Sequence, residues 1–187
     1  YIVSAGADQT VQVWEVATSK RLLTYRGHTG QVRVVAWSHN GQYIVSGDDN
    51  FKVHVWEPTT GNKIFIYQGH KGAVGGIAWS PNDKRIASSG TNLDHTVQVW
   101  DATTGANVLT YRNHRRAIWG LAWSPGGQYI VSASNDGTAQ VWDAATGKPF
   151  ITYIGHRDEV IPVAWAPDGT RVVSGSRDKT ARVWEAT

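Results

Sequence analysis

The sequence predicts an all-β protein assembled from repeated four-stranded antiparallel units. Three observations carry this. First, one series of tryptophans, Trp14, Trp56, Trp100, Trp142 and Trp184, advances in steps of 42, 44, 42 and 42 residues. Second, another series, Trp37, Trp79, Trp123 and Trp165, advances in steps of 42, 44 and 42. A fixed period of this length means equal supersecondary units, each too small to bury its own apolar faces and each stacked on the next. Third, the runs between the tryptophans are short, rich in Val, Ile, Tyr and Trp, and bounded by Gly, Pro, Asn, Asp or Ser. Those are strand and turn signals, and no useful stretch has helical periodicity.

One complete unit shows the elements in order. It begins at Gly27-His28. The first run is Val32 to Trp37, with partial alternation of apolar and polar residues. Ser38 to Gln42 then reads as a turn, since Asn40 and Gly41 tolerate turn dihedrals. The second run, Tyr43 to Ser46, leads into a tight polar loop from Gly47 to Asn50. The third run is Val53 to Trp56. Pro58 to Asn62 makes the next turn, and Ile64 to Tyr67 is the fourth run. Four consecutive antiparallel strands repeated about every 40 residues predict the blades of a β-propeller.

The same division covers the chain. Units are expected at 1–26 (partial), 27–68, 69–112, 113–154 and 155–187 (partial). The chain starts within a second strand, Tyr1 to Ser4, and reaches its end after a third, Ala181 to Trp184. Three full blades and two three-stranded ones follow. With no methionine at position 1, the expectation is a slice of a larger propeller or an open arc. Unpaired edge strands at both ends would template self-association.

The residues also carry a family resemblance. The pairs Trp14-Glu15, Trp56-Glu57, Trp100-Asp101, Trp142-Asp143 and Trp184-Glu185, with Gly27-His28, Gly69-His70 and Gly155-His156, resemble WD40 repeats over the entire chain. The near-identical units are similar to bacterial members of that family.

Each full unit contains a His, a Ser and an Asp or Asn. The sets are His28/Ser46/Asn50, His70/Ser88/Asp94, His114/Ser132/Asp136 and His156/Ser174/Asp178. A single such set invites a hydrolase reading. Four copies argue for scaffold, because a catalytic centre needs one pre-organised constellation with a pocket. The resemblance implies a hydrogen-bonded network joining each set to Trp56, Trp100, Trp142 or Trp184. Asn50 departs from the pattern and implies a less firmly braced blade.

Other chemistry is not expected. Cysteine is absent, which excludes thiolate metal sites and disulfides. The histidines do not pair at metal-ligand spacing, so neither a metal nor a cofactor is expected. Gly72 to Gly76 lacks the lysine of a nucleotide loop. The net charge of +3 falls short of a nucleic-acid-binding surface, and no membrane-spanning stretch occurs in these residues. A cytoplasmic location is the expectation.

Function is sought where units differ. The resemblance implies that partners dock on the top face, formed by the loops before the first strand and between the second and third. The positions that vary there are Gln31, Ala73, Ala117 and Glu159 three residues after each His, and Arg33, Gly75, Trp119 and Ile161 five after it. Those before the loop Asp or Asn are Ala7, Asp49, Leu93, Asn135 and Arg177. Trp119 is the one tryptophan outside the period. The expected binding residues are Arg33, Asp49, Leu93, Trp119, Asn135, Glu159, Ile161 and Arg177. The function expected is a non-enzymatic scaffold for proteins or peptides. The alternative is a regulatory module joined to a kinase or NTPase outside this segment.

Overall fold

The computed structural model describes residues 1–106 and 108–186. Among them the ordered elements are eighteen strands, in five antiparallel sheets taken in chain order. The first sheet holds β1 (Ile2–Ala5), β2 (Val11–Glu15) and β3 (Lys20–Tyr25). The second holds β4 (Val32–Trp37), β5 (Ile44–Asp48), β6 (Val53–Trp56) and β7 (Lys63–Tyr67). The third holds β8 (Val74–Trp79), β9 (Arg85–Gly90), β10 (Val97–Asp101) and β11 (Leu109–Tyr111). The fourth holds β12 (Ile118–Trp123), β13 (Tyr129–Ser134), β14 (Ala139–Asp143) and β15 (Pro149–Tyr153). The fifth holds β16 (Val160–Trp165), β17 (Arg171–Ser176) and β18 (Ala181–Glu185). No helix is long and apolar enough to cross a membrane.

Turn chemistry stops each strand where the next must begin. Between β14 and β15 the Asp143 carboxylate accepts the backbone N–H groups of Ala145 and Thr146, at 3.0 and 2.8 Å. Gly147 then takes φ of +72°, a left-handed conformation that costs glycine nothing. Asp101 and Gly105 repeat the device between β10 and β11.

Side-chain alternation decides how the sheets stack. Successive strand residues point to opposite faces. Ile44 therefore enters the core between the first and second sheets, and Val45 the core between the second and third. Ile86 and Ala87 divide in the same way, as do Ile130 and Val131. The result is four cores, one at each joint between neighbouring sheets. Among the described residues no sheet has a core of its own, so the stack is held by its joints.

Each joint has an aromatic staple. The last residue of a blade's outer strand lies flat against the tryptophan of the next blade's third strand. Tyr25 stacks on Trp56, Tyr67 on Trp100, Tyr111 on Trp142 and Tyr153 on Trp184. Ring centroids are 4.4, 4.5, 4.5 and 4.8 Å apart. Trp56, Trp100 and Trp142 are fully buried. Such stacking contributes about 0.5–1.5 kcal/mol beyond the area buried. These tyrosines recur with the same 42, 44 and 42 spacing as the tryptophans, a signal the tryptophan series alone does not use.

Candidate functional site

The repeated polar sets form directional relays. In the fourth blade the Trp142 indole N–H donates to Ser132 Oγ at 3.2 Å. Ser132 Oγ lies 2.8 Å from His114 Nε2, and His114 Nδ1 lies 2.9 Å from Asp136 Oδ2. Asp136, held as a carboxylate, can only accept, so the ring proton of a neutral His114 sits on Nδ1 and Nε2 accepts the Ser132 hydroxyl. The third and fifth blades repeat this through Trp100, Ser88, His70 and Asp94, and through Trp184, Ser174, His156 and Asp178. Burial alone would raise the Asp136 carboxyl. Hydrogen bonds from His114 and Thr138 outweigh it and hold the acid well below the usual carboxylate range.

The distances match those of a serine-hydrolase triad, but the surroundings do not. Ser46, Ser88, Ser132 and Ser174 are completely buried. A nucleophile needs a substrate beside it, and here a tryptophan ring occupies that side. The relays satisfy buried polar groups and lock the strands together.

The second blade corrects the expectation for Asn50. His28 Nδ1 meets Asp48 Oδ2 at 2.8 Å, and His28 Nε2 meets Ser46 Oγ at 2.7 Å, with Trp56 donating to the same oxygen at 3.1 Å. Asn50 instead donates to Thr29 Oγ1 at 3.0 Å. The reason is local. Strand β5 runs on to Asp48, two residues further than the polar Gly47–Asn50 run implies, which carries that carboxylate to the histidine. The relay of this blade keeps its anion.

His54 also sets this blade apart. Gln98 and Gln140 stand at its place in the next two blades and accept hydrogen bonds from Tyr67 and Tyr111. His54 Nδ1 lies 2.9 Å from the Tyr25 hydroxyl, while its Nε2 is buried without a partner. Burial, then the neighbouring His28, push its pKa down to about 3. His28, Asp48 and His54 bring potential ligand atoms within 4.8 Å of one another, although their spacing in sequence gives no metal motif. The two imidazoles are stacked, with centroids 3.9 Å apart and planes 20° from parallel. Their in-plane lone pairs run alongside each other and do not converge. A metal at about 2.1 Å from one nitrogen could not also lie in the plane of the other ring. The group fits a packed core and not a metal centre.

The variable residues five after each histidine share a structural setting. In β4, β8 and β12 the pairing slips by one residue, and the slip falls on the fifth residue after the histidine. It lies between Val32 and Val34, between Val74 and Gly76, and between Ile118 and Gly120. Arg33, Gly75 and Trp119 are therefore bulge residues. In β16 the irregularity spans Val160 to Val163 and contains Ile161. A bulge puts two residues against one and re-aims the extra side chain. Trp119 is half-buried, and a Cβ placed on Gly75 of the preceding blade would lie 3.3 Å from its ring. It packs over that glycine with part of its surface exposed.

The loop positions divide into two kinds. Asp49, Asn135 and Arg177 each donate their backbone N–H to the residue three after the histidine, namely Gln31, Ala117 and Glu159. In the third blade Thr91 makes this bond, to Ala73, and Leu93 does not. The expectation that Leu93 shares the position is corrected. The two-residue insertion falls between Thr91 and Asp94, so counting back from Asp94 lands on the insertion. Leu93 stands 90% exposed at its tip.

The charged candidates neutralise each other. Arg33 holds Asp49 with two hydrogen bonds, and Arg177 Nη1 lies 3.1 Å from Glu159 Oε2. Asn135 Oδ1 is buried without a partner. Arg115 and Arg116 line an open groove of about 560 Å³ with Ile154, Arg157 and Glu159. The exposed Ile154 stands where the other units have Arg26, Gln68 and Arg112, a departure the sequence analysis did not single out.

A family model described as "WD domain, G-beta repeat" matches the chain four times, at residues 19–57, 61–101, 105–143 and 147–185. Each match takes the outer strand of one blade and the three following strands of the next. No curated protein matches the chain.

Proposed function

Because the chain belongs to the WD40 repeat family, we propose that it is a non-catalytic scaffold that holds a protein or peptide on its top face. Repeats of this family serve generally as protein-interaction scaffolds. The observation that carries the finer reading is the coincidence of variability with the inner-strand bulges. The relays recur blade after blade and are sealed. Arg33, Gly75, Trp119 and Ile161 differ at one recurrent bulge, on strands rigid enough to present them.

Trp119 is the anchor of this reading. A tryptophan fixed by its strand offers large contact area at little entropic cost. Leu93 adds an apolar tip, Ile161 an apolar neighbour, and the Arg33–Asp49 and Glu159–Arg177 pairs a polar rim. Charges of both signs fit a protein partner better than a nucleic acid.

The test selects peptides from a random library against the chain and maps one by NMR. Perturbations centred on Trp119, Ile161 and Leu93 are expected. Trp119→Ala should weaken binding by about 2 kcal/mol, some thirtyfold, with the fold unchanged. Perturbations confined to the turns around Gly61 and Gly147 would overturn the proposal.

A further inference from the structure

Two departures from the repeat meet in the groove between the fourth and fifth sheets, which Arg115, Arg116, Ile154 and Arg157 help to line. Arg116 stands two residues after its histidine, where the other units have Gly30, Gly72 and Asp158. Ile154 replaces Arg26, Gln68 and Arg112 and is 76% exposed. Gln68 and Arg112 are followed by complete blades and are exposed too, so this exposure belongs to the position. One joint has thus gained a cation and exchanged a polar side chain for an apolar one. Its volume of about 560 Å³ lies within the range of specific ligand sites.

The relays fasten the loops that carry these side chains. Asp136 Oδ2 accepts the backbone N–H of Arg115, and Asp178 Oδ2 that of Arg157, both at 3.0 Å. Ser134 donates to the Arg116 carbonyl at 3.1 Å, and Ser176 to the Asp158 carbonyl at 3.0 Å. The carboxylates lining the groove are engaged within the fold. Asp136 accepts from His114, Asp158 accepts the Glu159 N–H at 2.7 Å, and Glu159 faces Arg177. Arg115, Arg116 and Arg157 are exposed, and among the described residues none of them makes an ion pair. The groove therefore presents three uncompensated guanidinium groups on fixed backbone beside one bare apolar side chain.

We propose that this groove holds a short acidic segment of the partner protein, its carboxylates on Arg115, Arg116 and Arg157 and a large apolar residue against Ile154. A guanidinium offers a planar fork of donors that matches a carboxylate. Ile154 adds apolar contact that a polyanion of sugar and phosphate would not use. The inference rests on the top-face reading and gives that partner a chemistry.

The experiment titrates the intact chain with a fluorescent peptide, Gly-Glu-Glu-Gly-Leu-Leu, at low salt. A second peptide carries Gln for both Glu, and a third carries Ser for both Leu. Each change should weaken binding about fivefold or more. NMR shifts should centre on the amides of Arg115, Arg116, Ile154 and Arg157. Arg116→Gly installs the residue of the second and third units, and Ile154→Gln that of position 68. Each should weaken the parent peptide about fivefold and leave the melting temperature unchanged. Absence of binding, equal affinity for the Gln peptide, or shifts elsewhere would overturn the proposal. So would tighter binding of an oligothymidylate of equal charge, which would make the groove a phosphate site. Peptides selected from the random library separate the two readings. If they still perturb Trp119 while the acidic peptide does not bind, the groove assignment alone is wrong.

Discussion

Tyr111 lies flat on Trp142, with centroids 4.5 Å apart and planes 8° from parallel, although the two residues belong to different blades. Its hydroxyl reaches past the ring to Gln140 at 2.7 Å. One side chain thus joins two sheets by dispersion and by a hydrogen bond. Trp142→Ala should remove the ring, the stack and the donor to Ser132 together. The expected loss is about 3–5 kcal/mol in chemical denaturation. Tyr111→Phe should cost about 1 kcal/mol, the hydrogen bond alone. Equal losses for the two would mean that stacking contributes nothing.

The corrected relay of the second blade gives a paired test. Asp48→Ala strands His28 Nδ1 and the Lys52 N–H that Asp48 also accepts. It should cost about 1–3 kcal/mol. Asn50→Ala removes only an exposed contact with Thr29 and should stay within about 0.5 kcal/mol. The reverse order, read from urea midpoints, would reinstate Asn50.

His54 makes the first joint sensitive to acid. It is packed against Tyr25, His28 and Asp48, with Lys52 and Lys63 nearby. Its folded pKa of about 3 lies below the ordinary 6.5. A histidine so depressed leaves stability intact above pH 6.5 and withdraws it as pH falls from there towards 3, because the unfolded chain takes up the proton first. The slope approaches about 1.4 kcal/mol per pH unit. His54→Gln installs the residue found at 98 and 140. It should flatten the stability profile between pH 6 and 4, and a profile parallel to the parent would exclude His54 as the cause. Below that range both proteins should weaken together, because Asp48, Asp94 and Asp136 are all held low in the folded state.

Phe51 adopts φ of +67° in the loop where the fourth blade places Gly137 at +84°. A bulky side chain in that region is strained, and it is 43% exposed. Phe51→Gly should therefore raise stability by about 1 kcal/mol in thermal or urea unfolding. A decrease would mean that the ring's contacts outweigh the strain.

The blades are legible in the sequence because spacing and strand composition act within one unit. The relay serines and histidines are legible for the same reason. Asp48 is not, because counting from Trp56 finds Asn50 first, and only the length of β5 decides between them. The same difficulty moves Leu93 off the ladder position that Thr91 occupies. The bulges are invisible to a linear reading, since they are a relation between two strands.

The four matched repeats are cut out of step with the blades, and this has a consequence for how such a chain grows. Tyr25 and Trp56 fall within one matched repeat, as do Tyr67 and Trp100, Tyr111 and Trp142, and Tyr153 and Trp184. A duplication of one repeat therefore copies both faces of a contact at once. The inserted stretch arrives with its fit already made, and the seams it opens on either side are met by residues of the same kind. Lengthening the array asks for no new complementary surface, and a substitution in one copy is felt by its own partner before it reaches any other.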